Sequence, residues 1–212
     1  MSGKYIARIA DSELSERLER VGAVLVEGVK GCGKTKTAQR LAASEVALDR
    51  LMVYEPLAAW SPVLRDKTRV RSKPKHHLVD PALAAALLGA GPAELSRDLK
   101  TFGLLFESLV VRDLRIYAGP AYAKVRHYRD NTGLEVDLVI DAGYRRWAAF
   151  EVKLTGAEPV TSRAAKNLLR FAAKVDLQSA GQPACLGIIT AQGEAYTRPD
   201  GVCVIPLAAL GP

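Results

Sequence analysis

The chain has 212 residues, 49% of them hydrophobic and 25% charged, the balance of an ordinary globular protein of one domain or slightly more, which excludes intrinsic disorder. Thirty Lys and Arg against 23 Asp and Glu leave a net charge of +7, which favours a polyanionic partner but says nothing of fold. Cys32, Cys185 and Cys203, with His76, His77 and His127, form no zinc-site spacing, and so few scattered thiols suit a reducing cytoplasm.

The first twenty residues are densely charged, so no secretory leader is expected there. Residues 11–20 predict an amphipathic helix, with Asp11 as cap, Glu13 in the first turn, and Leu14 and Leu18 on one face. Ala23–Glu27 reads as a short buried strand, followed by a glycine-rich turn and a helix from about Lys34 to Met52. Pro56, Pro62 and Pro74 exclude a continuous helix over the next stretch. Asp80-Pro81 supplies an N-cap with proline in the first helical position, and Pro92 opens another helix. The uncharged part of this region, Pro81 to Ala93, is too short and too rich in Ala and Gly to span a bilayer. No membrane partner is expected.

A long helix is expected over Lys100–Tyr117, with Phe102, Phe106, Leu109 and Val110 on its apolar side. Three strands follow, Ala121–Arg129, Leu134–Ile140 and Arg146–Leu154, joined by Asp130-Asn131-Thr132-Gly133 and Asp141-Ala142-Gly143, both with hairpin chemistry. A helix over Thr161–Val175 and strands at Ala184–Thr190 and Val202–Pro206 complete the chain. The expected class is α/β (α+β), with a mixed sheet flanked by helices.

Three groups of residues carry chemistry. Gly28-Val29-Lys30-Gly31-Cys32-Gly33-Lys34-Thr35 matches G-x-x-x-x-G-K-[ST] between a strand and a helix. Gly28, Gly31 and Gly33 let backbone N–H groups turn toward a phosphate, Lys34 reaches the β- and γ-phosphates of ATP, and Thr35 ligates Mg²⁺. An acidic residue at the end of a second core strand is missing, so ATP hydrolysis is not expected. Asp141 and Asp80 are better explained as a turn residue and a helix cap.

The second group is Asp137 in one strand with Glu151-Val152-Lys153 in the next. Period-2 geometry puts Glu151 and Lys153 on one face, and a short hairpin brings Asp137 alongside. Two carboxylates and the Val152 carbonyl make an oxygen-rich site suited to Mg²⁺, with Lys153 to orient water or stabilise developing charge. A solvated ion pair is the competing reading of Glu151 and Lys153. A carboxylate at Asp137, among Val136, Leu138, Val139 and Ile140, nonetheless requires a partner. The third group is basic. Arg65, Lys67, Arg69, Arg71, Lys73 and Lys75 alternate along a segment which, if extended, spaces its cations roughly 6.6 Å apart. Arg163, Lys166, Arg170 and Lys174 follow helical spacing. Both rows suit a phosphate backbone, and both are also compatible with charged edges that block aggregation.

Asp137 followed by Glu151-Val152-Lys153 resembles the PD-(D/E)XK nuclease signature, and the element order from residue 100 resembles its αβββαβ core. Glu107, on the preceding helix, matches the place of an additional acid in such nucleases. More widely the chain resembles bacterial and archaeal AAA-type ATPases that carry a C-terminal nuclease-like domain of unknown function. The stretches that carry this are Val24–Gly28 with the phosphate loop, Trp60-Ser61-Pro62, Ser72–His76, Val79-Asp80-Pro81, Phe102–Glu107, Tyr128–Gly133, Glu135-Val136-Asp137 and Phe150–Lys153. The acidic strand, sensor elements and arginine that complete such an ATPase are absent. The resemblance therefore implies a phosphate-loop remnant over residues 1–50, a basic connector and winged-helix remnant over 51–80, and a nuclease-like domain over 81–212.

Three readings are open at the level of sequence. The first is a Mg²⁺-dependent phosphodiesterase acting on DNA ahead of RNA, with Asp137 and Glu151 as metal ligands, Lys153 and Glu107 as further catalytic groups and the basic rows as a clamp. The second is a non-catalytic nucleotide- or DNA-binding regulator that uses the phosphate loop. The third is a truncated product without activity. Oligomeric state is left open, a homodimer among the options.

Overall fold

The computed structural model describes residues 9–20, 37–38, 54–61 and 73–211. The chain divides into two compact units, Met1–Ala47 and Leu48–Pro212. In the first, α1 spans Ile9–Arg20. It starts two residues before the expected cap, so Asp11 lies inside the first turn, where its charge still complements the helix dipole. Leu14 is buried, Leu18 is exposed, and Arg17 pairs with Glu13 one turn earlier at 2.8 Å. Thr37 and Ala38 are helical, within the span expected for the second helix. The strand Ala23–Glu27 and the loop residues Gly28, Gly31, Gly33, Lys34 and Thr35 lie outside the described residues.

The second unit begins with a two-stranded antiparallel ribbon, β1 (Tyr54–Leu57) and β2 (Lys75–Leu78). The region expected to be a connector thus contributes to the same compact unit as residues 81–211. Helices α2 (Pro81–Leu87) and α3 (Pro92–Arg97) follow. Asp80 caps α2 as expected, accepting the Ala82 N–H at 2.9 Å. Asp98 caps the long helix α4 (Leu99–Ala118) by accepting from Thr101.

A six-stranded mixed sheet forms the centre, flanked by helices. Its strands are β3 (Lys124–Arg129), β4 (Glu135–Asp141), β5 (Trp147–Lys153), β6 (Pro183–Thr190), β7 (Tyr196–Thr197) and β8 (Cys203–Pro206), in the spatial order β3-β4-β5-β6-β8-β7. The first three are antiparallel neighbours, β5-β6 and β6-β8 run parallel, and β7 returns antiparallel to β8. Helix α5 (Val160–Lys174), followed by the short α6 (Leu177–Ala180), makes the crossover that parallel pairing of β5 and β6 demands. The strand expected from Ala121 starts at Lys124, because Gly119-Pro120-Ala121 closes α4 with a 3-10 turn.

The sheet buries both faces. On one, Phe106, Val110, Val111 and Leu114 of α4 meet Val125, Leu138, Phe150, Val152 and Ile189. On the other, Ala164, Ala165, Leu168 and Phe171 of α5 meet Val136, Val139, Ala149, Ile188 and Val204. Trp60, Trp147 and Phe171 cluster there with ring centroids 5.2 to 5.9 Å apart. The hairpin turns behave as expected: Asp130 accepts from the N–H of Thr132 and of Leu134, and Asp141 from that of Gly143.

The β3–β4 ladder is irregular at one point. Arg126 pairs with Val139 and Tyr128 with Val136, so His127 alone stands against Asp137 and Leu138. This is a β-bulge in β4, and it breaks the alternation: Val136 and Val139, three apart, both face α5.

Candidate active site

The bulge lies where β4 parts from β5. Their pairing runs from Asp141↔Trp147 to Leu138↔Phe150 and stops. Beyond it the Asp137 side chain takes over, accepting the Val152 N–H on Oδ2 at 2.9 Å. Along β5, Val152 packs in the α4-side core, and its neighbours Glu151 and Lys153 share the opposite direction. Lys153 Nζ reaches Asp137 Oδ2 at 3.2 Å and Glu151 Oε2 at 2.7 Å. The three residues expected to meet therefore meet, and both carboxylates touch one ammonium. Glu151 is 6% exposed, which makes the solvated-pair reading a poor description of it.

Across the gap, α4 presents Glu107 and α5 presents Asn167. Asn167 Nδ2 donates to Glu151 Oε1 at 2.8 Å and to the Glu135 carbonyl at 2.6 Å, tying the end of β4 to the glutamate of β5. Glu107 sits one turn of helix from the buried core contact Val110 and meets Lys75 Nζ at 3.2 Å.

Lys75 is a correction to the sequence reading. Expected in the outward basic row, it points into the carboxylate cluster, where Nζ also approaches Glu135 Oε1 at 2.7 Å and Asp137 Oδ1 at 3.6 Å. The cause is the ribbon: β2 alternates, so Lys75 and the buried His77 turn inward while His76 stays exposed. Lys73 is exposed, and Arg65, Lys67, Arg69 and Arg71 lie outside the described residues. On α5, Arg163, Lys166 and Arg170 stand on the solvent face. Lys174 is instead tied to Asp130 at 2.7 Å and to Thr132 at 2.9 Å.

Charge and burial compete throughout the cluster. Burial works against the Asp137 carboxylate, yet Lys153, the Val152 N–H and Lys75 hold its proton affinity below the usual range. Glu151 goes the other way: burial first, then the Asp137 charge, push it up to about 7. Glu107 is raised for the same two reasons. Burial opposes the charge on Lys75, but Glu107, Glu135 and Asp137 more than offset it and keep the ammonium charged. His77 is held down to about 4 by burial and by Lys75, so it is neutral at physiological pH. Its Nδ1 lies 3.4 Å from Ser108 Oγ and its Nε2 3.8 Å from Glu107 Oε1.

Glu107, Glu135, Asp137, Glu151 and Asn167 line a cavity of about 810 Å³ together with Lys75 and the ribbon. Among the described residues no group of three or more His, Cys, Asp or Glu side chains is placed to hold a metal by itself, and the carboxylates are paired with Lys75 and Lys153. The donor set nevertheless fits Mg²⁺. Four carboxylates face two ammoniums, all donors are hard oxygens, and this ion is commonly held by one or two carboxylates with water or substrate completing its shell.

Sequence reading missed Glu135, Asn167 and His77. Glu135, two residues before Asp137, was open to a period-2 argument; Asn167 stood as a lone amide inside the basic row of α5. No helix among the described residues is long and apolar enough to cross a membrane.

Neither the curated proteins nor the solved structures contain a match to this chain. One family does match, over residues 102–210, a stretch running from Glu107 through Asp137, Glu151, Lys153 and Asn167 to the end of the sheet. That is just over half of the chain, which therefore belongs to the family described as Domain of unknown function (DUF4143).

Proposed function

We propose that the chain is a Mg²⁺-dependent phosphodiesterase acting on DNA, with a PD-(D/E)XK-like site and a phosphate-loop remnant of an AAA-type ATPase. The observation that carries this reading is that Asp137 and Glu151, from adjacent strands, both contact Lys153 Nζ at the point where those strands part. Asp137 and Glu151 would hold the ion, which when bound supplies an activated water and neutralises charge developing on a phosphodiester. Lys153 keeps a cation beside that position. Asn167 fixes one Glu151 oxygen and leaves the other turned toward Lys153. Glu107 adds a further carboxylate across the cavity. Lys73, Arg163, Lys166 and Arg170 supply exposed cations for backbone phosphates. The motif Gly28–Thr35 supports a second reading, a regulator that binds nucleotide and uses the sheet as scaffold.

The deciding experiment incubates the full chain with supercoiled plasmid in Mg²⁺, in Mn²⁺ and in chelator. Cleavage in the metals alone, abolished by Lys153→Ala while DNA affinity stays within about tenfold, supports the phosphodiesterase. An intact plasmid in both metals removes it.

A further inference from the structure

Lys75 has three carboxylate partners, and it comes from the ribbon, outside residues 102–210 that match the family. Its contacts are graded: Glu135 at 2.7 Å, Glu107 at 3.2 Å and Asp137 at 3.6 Å. Asp137 is therefore shared between two ammoniums, Lys75 on Oδ1 and Lys153 on Oδ2. Lys153 belongs to the central sheet, in a strand paired on both sides. Lys75 belongs to a ribbon of two four-residue strands. The ribbon itself is pinned by Leu57, which has no exposed surface, and by the buried His77. The four-carbon side chain of Lys75 lines the 810 Å³ cavity, and its rotatable bonds give the ammonium an alternative position there.

We propose that Lys75 is a tethered counterion, occupying the carboxylates in place of a divalent cation and turning out into the cavity when that cation binds Asp137 and Glu151. The inference rests on the metal reading and adds to it a gate. Charge dictates the exchange. A dication at Asp137 repels an ammonium a few ångströms away and takes over the neutralisation that Lys75 supplies. Released, Lys75 keeps its charge and faces the space that a substrate phosphate would enter, so the lysine that closes the empty site becomes a phosphate contact in the loaded one.

Two measurements on the full chain test this. Calorimetric titration with Mn²⁺ compares the parent with Lys75→Gln and Lys75→Arg. Removing the competing charge should tighten Mn²⁺ binding about tenfold in Lys75→Gln, and Lys75→Arg should bind as the parent does. A merely structural lysine would leave Mn²⁺ affinity unchanged or weaken it on replacement, and that result overturns the inference while the metal reading stands. Should neither the parent nor Lys75→Gln bind Mn²⁺, the metal reading itself falls and the gate with it. The second measurement needs no variant. Acetylation of lysines with and without saturating Mn²⁺, read by peptide mass spectrometry, should show Lys75 modified several-fold faster with the metal and Lys73 unchanged. Equal or slower modification of Lys75 in Mn²⁺ overturns the inference.

Discussion

Asp137 accepts the backbone N–H of Val152 at 2.9 Å, so a side chain of β4 continues a ladder that its backbone has left. The bulge at Asp137 and Leu138 makes this possible, since it lets β4 bend away while the carboxylate reaches back. Structure and chemistry thus compete for one group. Asp137→Asn keeps an oxygen for the Val152 N–H but gives up the charge that pairs with Lys153 and Lys75, so it should lose some stability, less than Asp137→Ala does. Asp137→Ala leaves that N–H unpaired and should cost about 1–3 kcal/mol in urea denaturation. Both should lose Mn²⁺ binding. An Asn variant no more stable than the Ala variant, or an Ala variant as stable as the parent, would refute the assignment.

Glu151 gives a pH prediction. With its carboxyl pushed up to about 7, the native state holds a proton that the unfolded chain, with an ordinary glutamate, has released. Stability measured in chelator should therefore fall as pH rises from about 5 to about 8, and Glu151→Gln should flatten that slope. Over the same range Mn²⁺ affinity of the parent should rise, since the carboxylate must form before it can ligate. Thermal melts and metal titrations at each pH check both directions.

Asp130 gives the opposite sign. Burial opposes the charge, but Lys174, the Thr132 hydroxyl and N–H and the N–H of Leu134 together outweigh it and hold the carboxyl well below the usual range. The stabilisation is fully present above the ordinary aspartate pKa and is lost as pH falls toward the depressed value. Asp130→Ala should lower the melting temperature at neutral pH by a few degrees, as roughly 1 kcal/mol does in a domain of this size. The gap to the parent should close progressively in acid below about pH 4. A gap independent of pH would count against the pairing.

Gly181 ends α6 with φ +77°, and a Cβ there would stand 2.5 Å from the Arg145 carbonyl oxygen. The Gly181 carbonyl also accepts the indole N–H of Trp147 at 3.0 Å. Gly181→Ala should therefore destabilise by about 1–3 kcal/mol, the range for backbone held in a disfavoured region. The loss should show as earlier unfolding by tryptophan fluorescence. Parental stability would contradict it.

The phosphate loop yields a separation of activities. If the nuclease-like site works alone, Lys34→Ala should leave metal-dependent cleavage unchanged and abolish only nucleotide binding, measured by filter retention of labelled ATP. Loss of cleavage in Lys34→Ala would join the two activities and favour the regulator.

Much of the central sheet was legible because its signals are local. Short apolar, β-branched runs in Glu135–Ile140 and Trp147–Lys153, with Asp and Gly at both turns, specify neighbouring antiparallel strands without reference to the rest of the chain. Asp137, Glu151 and Lys153 followed from that register. Asn167 and Lys75 did not, since each reaches the cluster from a separate element, and residues of mixed charge at helical or alternating spacing read equally well as a solvent face. The bulge was hidden too: nothing in Val136-Asp137-Leu138-Val139 marks an extra residue, and only the partner strand reveals it.

The ribbon bears on how this protein can be cut. A recombinant fragment trimmed to residues 102–210 would discard Leu57 and Trp60, two side chains sunk in opposite cores of the sheet. It would also strip α4 of the strands beside it and leave Glu107 and Glu135 without the lysine that pairs with them. Such a fragment should expose apolar surface and aggregate, whereas one begun at Leu48 keeps the ribbon with the sheet in one compact unit. The family match and the compact unit begin at different places in this chain, and expression trials should follow the second.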